Sequence, residues 1–102
     1  MAKVVRVRED AKKFLADVPE EYVFWCYDGR TFRNVKELGE ALNTMTDETF
    51  VYHVNREKND FSNWVRDIIK DEQLARYISP AMTRREMANI VARRIASLSG
   101  RM

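Results

Sequence analysis

The stretch Phe50-Val-Tyr-His-Val-Asn-Arg-Glu-Lys-Asn-Asp-Phe-Ser-Asn-Trp64 holds four aromatics, the one histidine and an Asn-Asp helix-start signal in fifteen positions. A cluster that dense is either the hub of a core or a binding site, and the helical spacing that follows it favours the core. Asn59-Asp60 caps a helix whose apolar residues Phe61, Trp64, Val65 and Ile68 fall at 3–4 spacing. The stripe breaks at Asp71-Glu72 and resumes at Leu74, Ala75 and Ile78, so Asp71 is a new cap after a kink, or the start of a second short helix. Ser79-Pro80 ends it.

Upstream, Thr46-Asp-Glu opens the segment 46–54, where Phe50 and Val54 suit a helix and Phe-Val-Tyr-His-Val suits a strand. The start signal favours helix. Asn34-Val-Lys-Glu37 has capping-box spacing, and Val35, Leu38, Ala41, Leu42 and Met45 then share one face. Before it, the aromatic and β-branched run 22–27 meets Asp28-Gly29, a strong hairpin signal because both turn residues tolerate positive φ. Residues 3–8 alternate Val and basic residues, as a short strand or a frayed lead-in would, and Asp10 is placed to cap a first helix reaching about Val18 before Pro19.

Thr83-Arg-Arg-Glu86 is a second capping box and starts a helix that Gly100 stops. Its apolar arc is Met87, Ile90, Val91, Ile95 and Leu98, with Arg85 and Arg93 opposite and Arg84 and Arg94 near or within it. Arg94 must therefore pass the core edge or pair with an acid from the acidic middle region, residues 21–60. The expected fold is mainly α (α+β): a compact helical domain of four to five helices with one short N-terminal β-hairpin. It forms one domain over 1–102, with a lead-in and first helix (1–20), a motif-bearing core (22–78) and a basic C-terminal helix (83–100).

Composition narrows the function classes. The chain has 102 residues, 45% apolar and 33% charged, with 18 basic and 16 acidic side chains for a net charge of +2. Near-cancelling charges give a weak overall field. Residues 21–60 carry five basic against eight acidic groups, whereas residues 83–102 carry five arginines against Glu86. A lone cysteine, Cys26, excludes an internal disulfide and any multi-thiolate metal site. The N-terminal sequence lacks a secretory apolar run and no stretch approaches the ~20 apolar residues of a membrane span, so a soluble, cytoplasmic protein is expected. No cofactor or metal is expected: Gly-rich phosphate loops and metal-ligand spacings are missing.

The ordered pattern Asp28-Gly29-Arg30, Phe50 with Tyr52-His53-Val54, Asn59-Asp60-Phe61 with Trp64, and Asp71 with Leu74-Ala75 resembles a small prokaryotic, often archaeal, domain family. The match spans roughly residues 22–78. The resemblance implies domain boundaries and brings no chemistry with it.

Three functions follow as expectations. The first is a non-enzymatic interaction or scaffold domain that binds a protein, a second copy of itself included, in which His53, Asn59, Asp60, Phe61 and Trp64 are structural. The alternative is a nucleic-acid binder contacting phosphates through Arg84, Arg85, Arg93, Arg94, Arg30, Arg33 and Lys58. A distant third is an enzyme centred on His53 with Asp60 as its orienting carboxylate. The sequence offers no paired nucleophile for it, and helix capping accounts for Asn59 and Asp60.

Overall fold

The computed structural model describes the backbone of residues 2–101 and the side chains of residues 9–101. Helix α1 (Ala2–Leu15) leads to a 3₁₀ turn (Glu20–Tyr22), and strands β1 (Phe24–Trp25) and β2 (Thr31–Phe32) form an antiparallel hairpin. Helices α2 (Val35–Thr44), α3 (Asp47–His53), α4 (Asp60–Trp64), α5 (Glu72–Ile78) and α6 (Arg84–Ser99) follow, with a π-helical turn (Val65–Ile69) between α4 and α5. The radius of gyration, 13.4 Å, is that of a compact chain of this length.

The fold is mainly α with one hairpin, but six α-helices are present among the described residues, not four to five. Both ambiguous segments are helical: 46–54 forms α3, and the break at Asp71 separates two helices. The chain start also departs from expectation. Residues 3–8 are helical, Asp10 lies inside α1, and the helix ends at Leu15 rather than near Val18. A strand at 3–8 would need a partner for its amides, which a helix satisfies internally. At the other end Val18 leaves the helix because its amide donates to the Arg33 carbonyl at 2.8 Å, tying the chain to the end of β2.

The capping residues behave as their chemistry requires. Asn34, Thr46, Asn59, Asp71 and Thr83 each accept from the backbone amide three residues on. The reciprocal arms shift by one: Glu37 Oε1 accepts from the Arg33 amide at 2.8 Å and Glu86 Oε1 from the Met82 amide at 3.2 Å. The π-helical turn, in which the Lys70 amide donates to Val65 O at 2.8 Å, moves the buried face by one residue. Ile69 is buried and Ile68 lies at the rim, the reverse of the regular spacing. Lys70 closes the turn at φ +70°, a left-handed conformation unfavourable for a residue with a Cβ.

The hairpin turn is longer than a two-residue Asp-Gly connection. The Cys26 amide donates to Arg30 O at 2.8 Å and Cys26 O accepts from the Gly29 amide at 3.0 Å, which leaves Tyr27, Asp28 and Gly29 in the loop. Gly29 alone in the loop has positive φ, +95°. This is the three-residue loop closed by a left-handed glycine. Asp28 Oδ1 accepts from the Arg30 amide at 3.0 Å and so stabilises the loop from within.

Strand alternation turns Phe24 and Cys26 inward and Trp25 and Tyr27 outward. Phe24 is the hub of the core. Its ring centre lies 5.5 Å from Phe32, 5.1 Å from both His53 and Phe61, and 5.8 Å from Trp64. The hairpin, marginal alone, is thereby held against α3 and α4.

Candidate interaction site

His53, at the end of α3, is buried with both ring nitrogens engaged. Nε2 accepts from the Tyr27 amide at 2.9 Å, so the proton sits on Nδ1 and is shared with Asp60 Oδ2 at 3.0 Å. Neither nitrogen is left for a substrate. Asn59 caps α4, and its amide donates to the carbonyls of Ile78 and Ser79 at 3.0 and 3.3 Å, tying the start of α4 to the end of α5. Phe61 is fully buried. Trp64 donates its indole N–H to the Tyr22 carbonyl at 2.8 Å. His53, Phe61 and Trp64 thus lock the hairpin onto the helices, Asp60 orients His53, and Asn59 ties α4 to α5.

The same arrangement leaves an aromatic face on the outside. Trp25 is 75% exposed, and Tyr27 stacks on Tyr52 at 4.2 Å with ring planes 20° apart. Lys58 Nζ sits 4.6 Å from the Tyr52 ring centre and 2.9 Å from Asp60 Oδ2. Val51, next to Tyr52 on α3, is exposed as well. Four exposed apolar or aromatic side chains therefore come from the hairpin and α3. Sequence reasoning missed Trp25 and Tyr27, although the alternation of Phe24-Trp-Cys-Tyr27 placed them opposite the core residues.

The seven candidate cations divide unevenly. Arg30 pairs with Asp28 at 2.8 Å and Thr44 at 2.7 Å, and Arg33 pairs with Glu37 at 3.3 Å. Lys58 is held by Asp60, and Arg84 donates to the Leu42 carbonyl at 2.8 Å and approaches Asp47 at 3.4 Å. Arg94 is buried against Asp71. That carboxylate lies outside the acidic stretch 21–60. Among the described residues only Arg85 and Arg93 of the seven have no carboxylate partner.

Two carboxylates at this site are shifted. The Arg30 guanidinium hydrogen-bonded to Asp28 holds its carboxyl down at about 2. For Asp60, burial pushes upward, but the hydrogen bonds from Lys58 and His53 together outweigh it and lower the pKa. Burial raises the Cys26 thiol. A lowered carboxylate pKa adds stability that is present above the unfolded value, near 3.9, and is lost as pH falls through the folded value. Thermal denaturation is therefore expected to show a falling midpoint from about pH 4 downward, through the Asp28 value of about 2. Asp28→Asn should be less stable than wild type at neutral pH and converge on it in acid. A constant gap across that range would contradict the Asp28–Arg30 assignment.

Among the described residues no group of three or more His, Cys, Asp or Glu side chains is placed to hold a metal ion, and no helix is long and apolar enough to cross a membrane. No protein family, curated protein or solved structure matches the chain.

Proposed function

We propose that this chain is a non-enzymatic interaction domain that binds a protein partner through the outer face of the hairpin and α3. The observation that carries the reading is Trp25, three-quarters exposed beside the stacked Tyr27–Tyr52 pair. Tryptophan and tyrosine are the residues enriched at the energetic centres of protein interfaces. The charges beside them are already neutralised, Arg30 by Asp28 and Lys58 by Asp60, so the face offers ring surface rather than free cations. Its complement is an apolar segment of a protein, not a phosphate backbone. The motif residues His53, Asn59, Asp60, Phe61 and Trp64 serve by holding that face in place.

A nucleic-acid partner is the second reading, favoured by Arg85 and Arg93, whose guanidiniums lack carboxylate partners among the described residues. One experiment separates the two. Peptides selected from a random display library against the wild-type domain should lose roughly 30-fold in affinity for Trp25→Ala, the effect of an interface hot spot, and bind Arg85→Glu/Arg93→Glu unchanged. Sedimentation of both variants covers a second copy as partner. Peptides that bind Trp25→Ala as tightly as wild type, or that fail only on the arginine variant, would overturn the hairpin-face reading.

A further inference from the structure

Between α5 and α6 lies a groove of about 420 Å³, within the size range of small-ligand sites. Gln73 and Tyr77 form one wall and Ile90, Arg93, Ser97 and Arg101 the other. Arg94 also reaches the groove, but Asp71 neutralises it. Arg93 has no carboxylate partner among the described residues, and the recorded contact of Arg101 is with Ser97 Oγ at 3.4 Å. Among the described residues the lining therefore presents two guanidiniums without a carboxylate partner, and no carboxylate. The C-terminal end of α6 opposes an anion with about half a negative charge, which two full positive charges outweigh.

We infer that this groove binds a small organic anion, a phosphate monoester carried on a planar ring. Two guanidiniums supply more donors than one carboxylate can accept, whereas a phosphate monoester, with a charge of about −1.5 to −2 and three acceptor oxygens, matches both. The ring has its own partner. Tyr77 is 54% exposed, its hydroxyl accepts from Gln73 Nε2 at 3.4 Å, and Ile90 adds apolar surface in the same groove. An exposed tyrosine face stacks planar heterocycles of any identity. The inference is independent of the hairpin-face reading, since none of these residues belongs to that surface.

Titration of the whole chain with adenosine 5′-monophosphate, adenosine and inorganic phosphate tests it, read by calorimetry and by amide shifts of Tyr77, Ile90 and Ser97. The nucleotide is expected to bind at least about tenfold tighter than either fragment, because charge-assisted hydrogen bonds and stacking act together. Arg93→Gln and Arg101→Gln should each cost the nucleotide roughly tenfold and leave adenosine unchanged. Tyr77→Ala should weaken both. All three side chains are exposed, so unchanged far-ultraviolet dichroism confirms that the variants fold. Equal affinity for nucleotide and phosphate would reduce the groove to a bare cationic patch and overturn the inference. So would wild-type affinity in either arginine variant, or an oligoglutamate peptide binding more tightly than the nucleotide, which would make the groove a docking surface for an acidic protein segment.

Discussion

Arg94→Met is expected to destabilise the domain by about 3–5 kcal/mol, the cost of leaving a buried charge without its partner. Arg94 Nε and Nη2 donate to Asp71 Oδ2 and Oδ1 at 2.8 and 3.0 Å, and the two residues are only 8% and 1% exposed. Asp71 is already committed as the cap of α5, accepting from the Leu74 amide at 3.1 Å. Removing the guanidinium would strand the carboxylate in the core beside that cap. Asp71→Asn keeps a competent cap and removes the charge, so the double variant Asp71→Asn/Arg94→Met should regain most of the loss. Urea denaturation of wild type, the two single variants and the double variant measures the coupling directly. An Arg94→Met variant within about 0.5 kcal/mol of wild type, the range of ordinary surface changes, would mean the pair is solvated, and a double variant no better than the single would place the cost in packing instead. Arg94 Cζ also lies 5.9 Å from the Phe14 ring centre, so the pair joins α1, the cap of α5 and α6 at one point.

That ion pair marks the boundary of what the sequence makes legible. The caps at Asn34, Thr46, Asn59, Asp71 and Thr83 can be read in advance because each acts on an amide three residues away. The apolar face of α2 is legible for the same reason, since periodicity is a local property. Arg94 stands out as an arginine near or within an apolar arc that must pass the core edge or find an acid, but nothing local names Asp71, twenty-three positions away. The Trp64–Tyr22 and Arg84–Leu42 contacts, each spanning forty-two positions, are equally silent. The π-helical turn is hidden too, because Ile68 and Ile69 are chemically identical and only packing decides which one enters the core.

The candidate sites follow the same division. The C-terminal arginines form no single stripe along the helix, and tertiary partners take up two of the five: Arg84 stitches α6 to α2, and Arg94 fastens it to the cap of α5. Lys58 and Arg30 likewise hold local structure around the hairpin and α3. What remains for recognition are side chains that structure leaves unspent. Among the described residues these include the outward rings of the hairpin and α3, the guanidinium of Arg85, and those of Arg93 and Arg101 in the groove. Charge counted along a chain overstates the charge a folded surface offers.

The two tryptophans test this division between structure and recognition within one side-chain type. Trp64 is buried, its ring centre 5.8 Å from Phe24 and its N–H bonded to the Tyr22 carbonyl. Trp64→Ala is expected to cost about 3–5 kcal/mol, from lost transfer energy and the cavity left beside Phe24. The orphaned Tyr22 carbonyl adds little, because Tyr22 is half exposed and water can replace the donor. With a typical total of about 5–15 kcal/mol for a domain, such a variant is marginal or unfolded. Trp25→Ala removes a ring of the same size from the outer face of β1 and should change stability by no more than about 0.5 kcal/mol. Chemical denaturation followed by far-ultraviolet dichroism reads both, and each variant leaves one tryptophan whose emission reports the environment of the other site. The residual fluorescence of Trp64 in Trp25→Ala should be blue-shifted and insensitive to soluble quenchers, and that of Trp25 in a folded fraction of Trp64→Ala the reverse. A Trp64→Ala variant as stable as wild type would move Trp64 out of the core and turn the aromatic cluster into the binding surface. A Trp25→Ala variant several kcal/mol less stable would show that Trp25 is needed for folding, leaving the hairpin face without its recognition element.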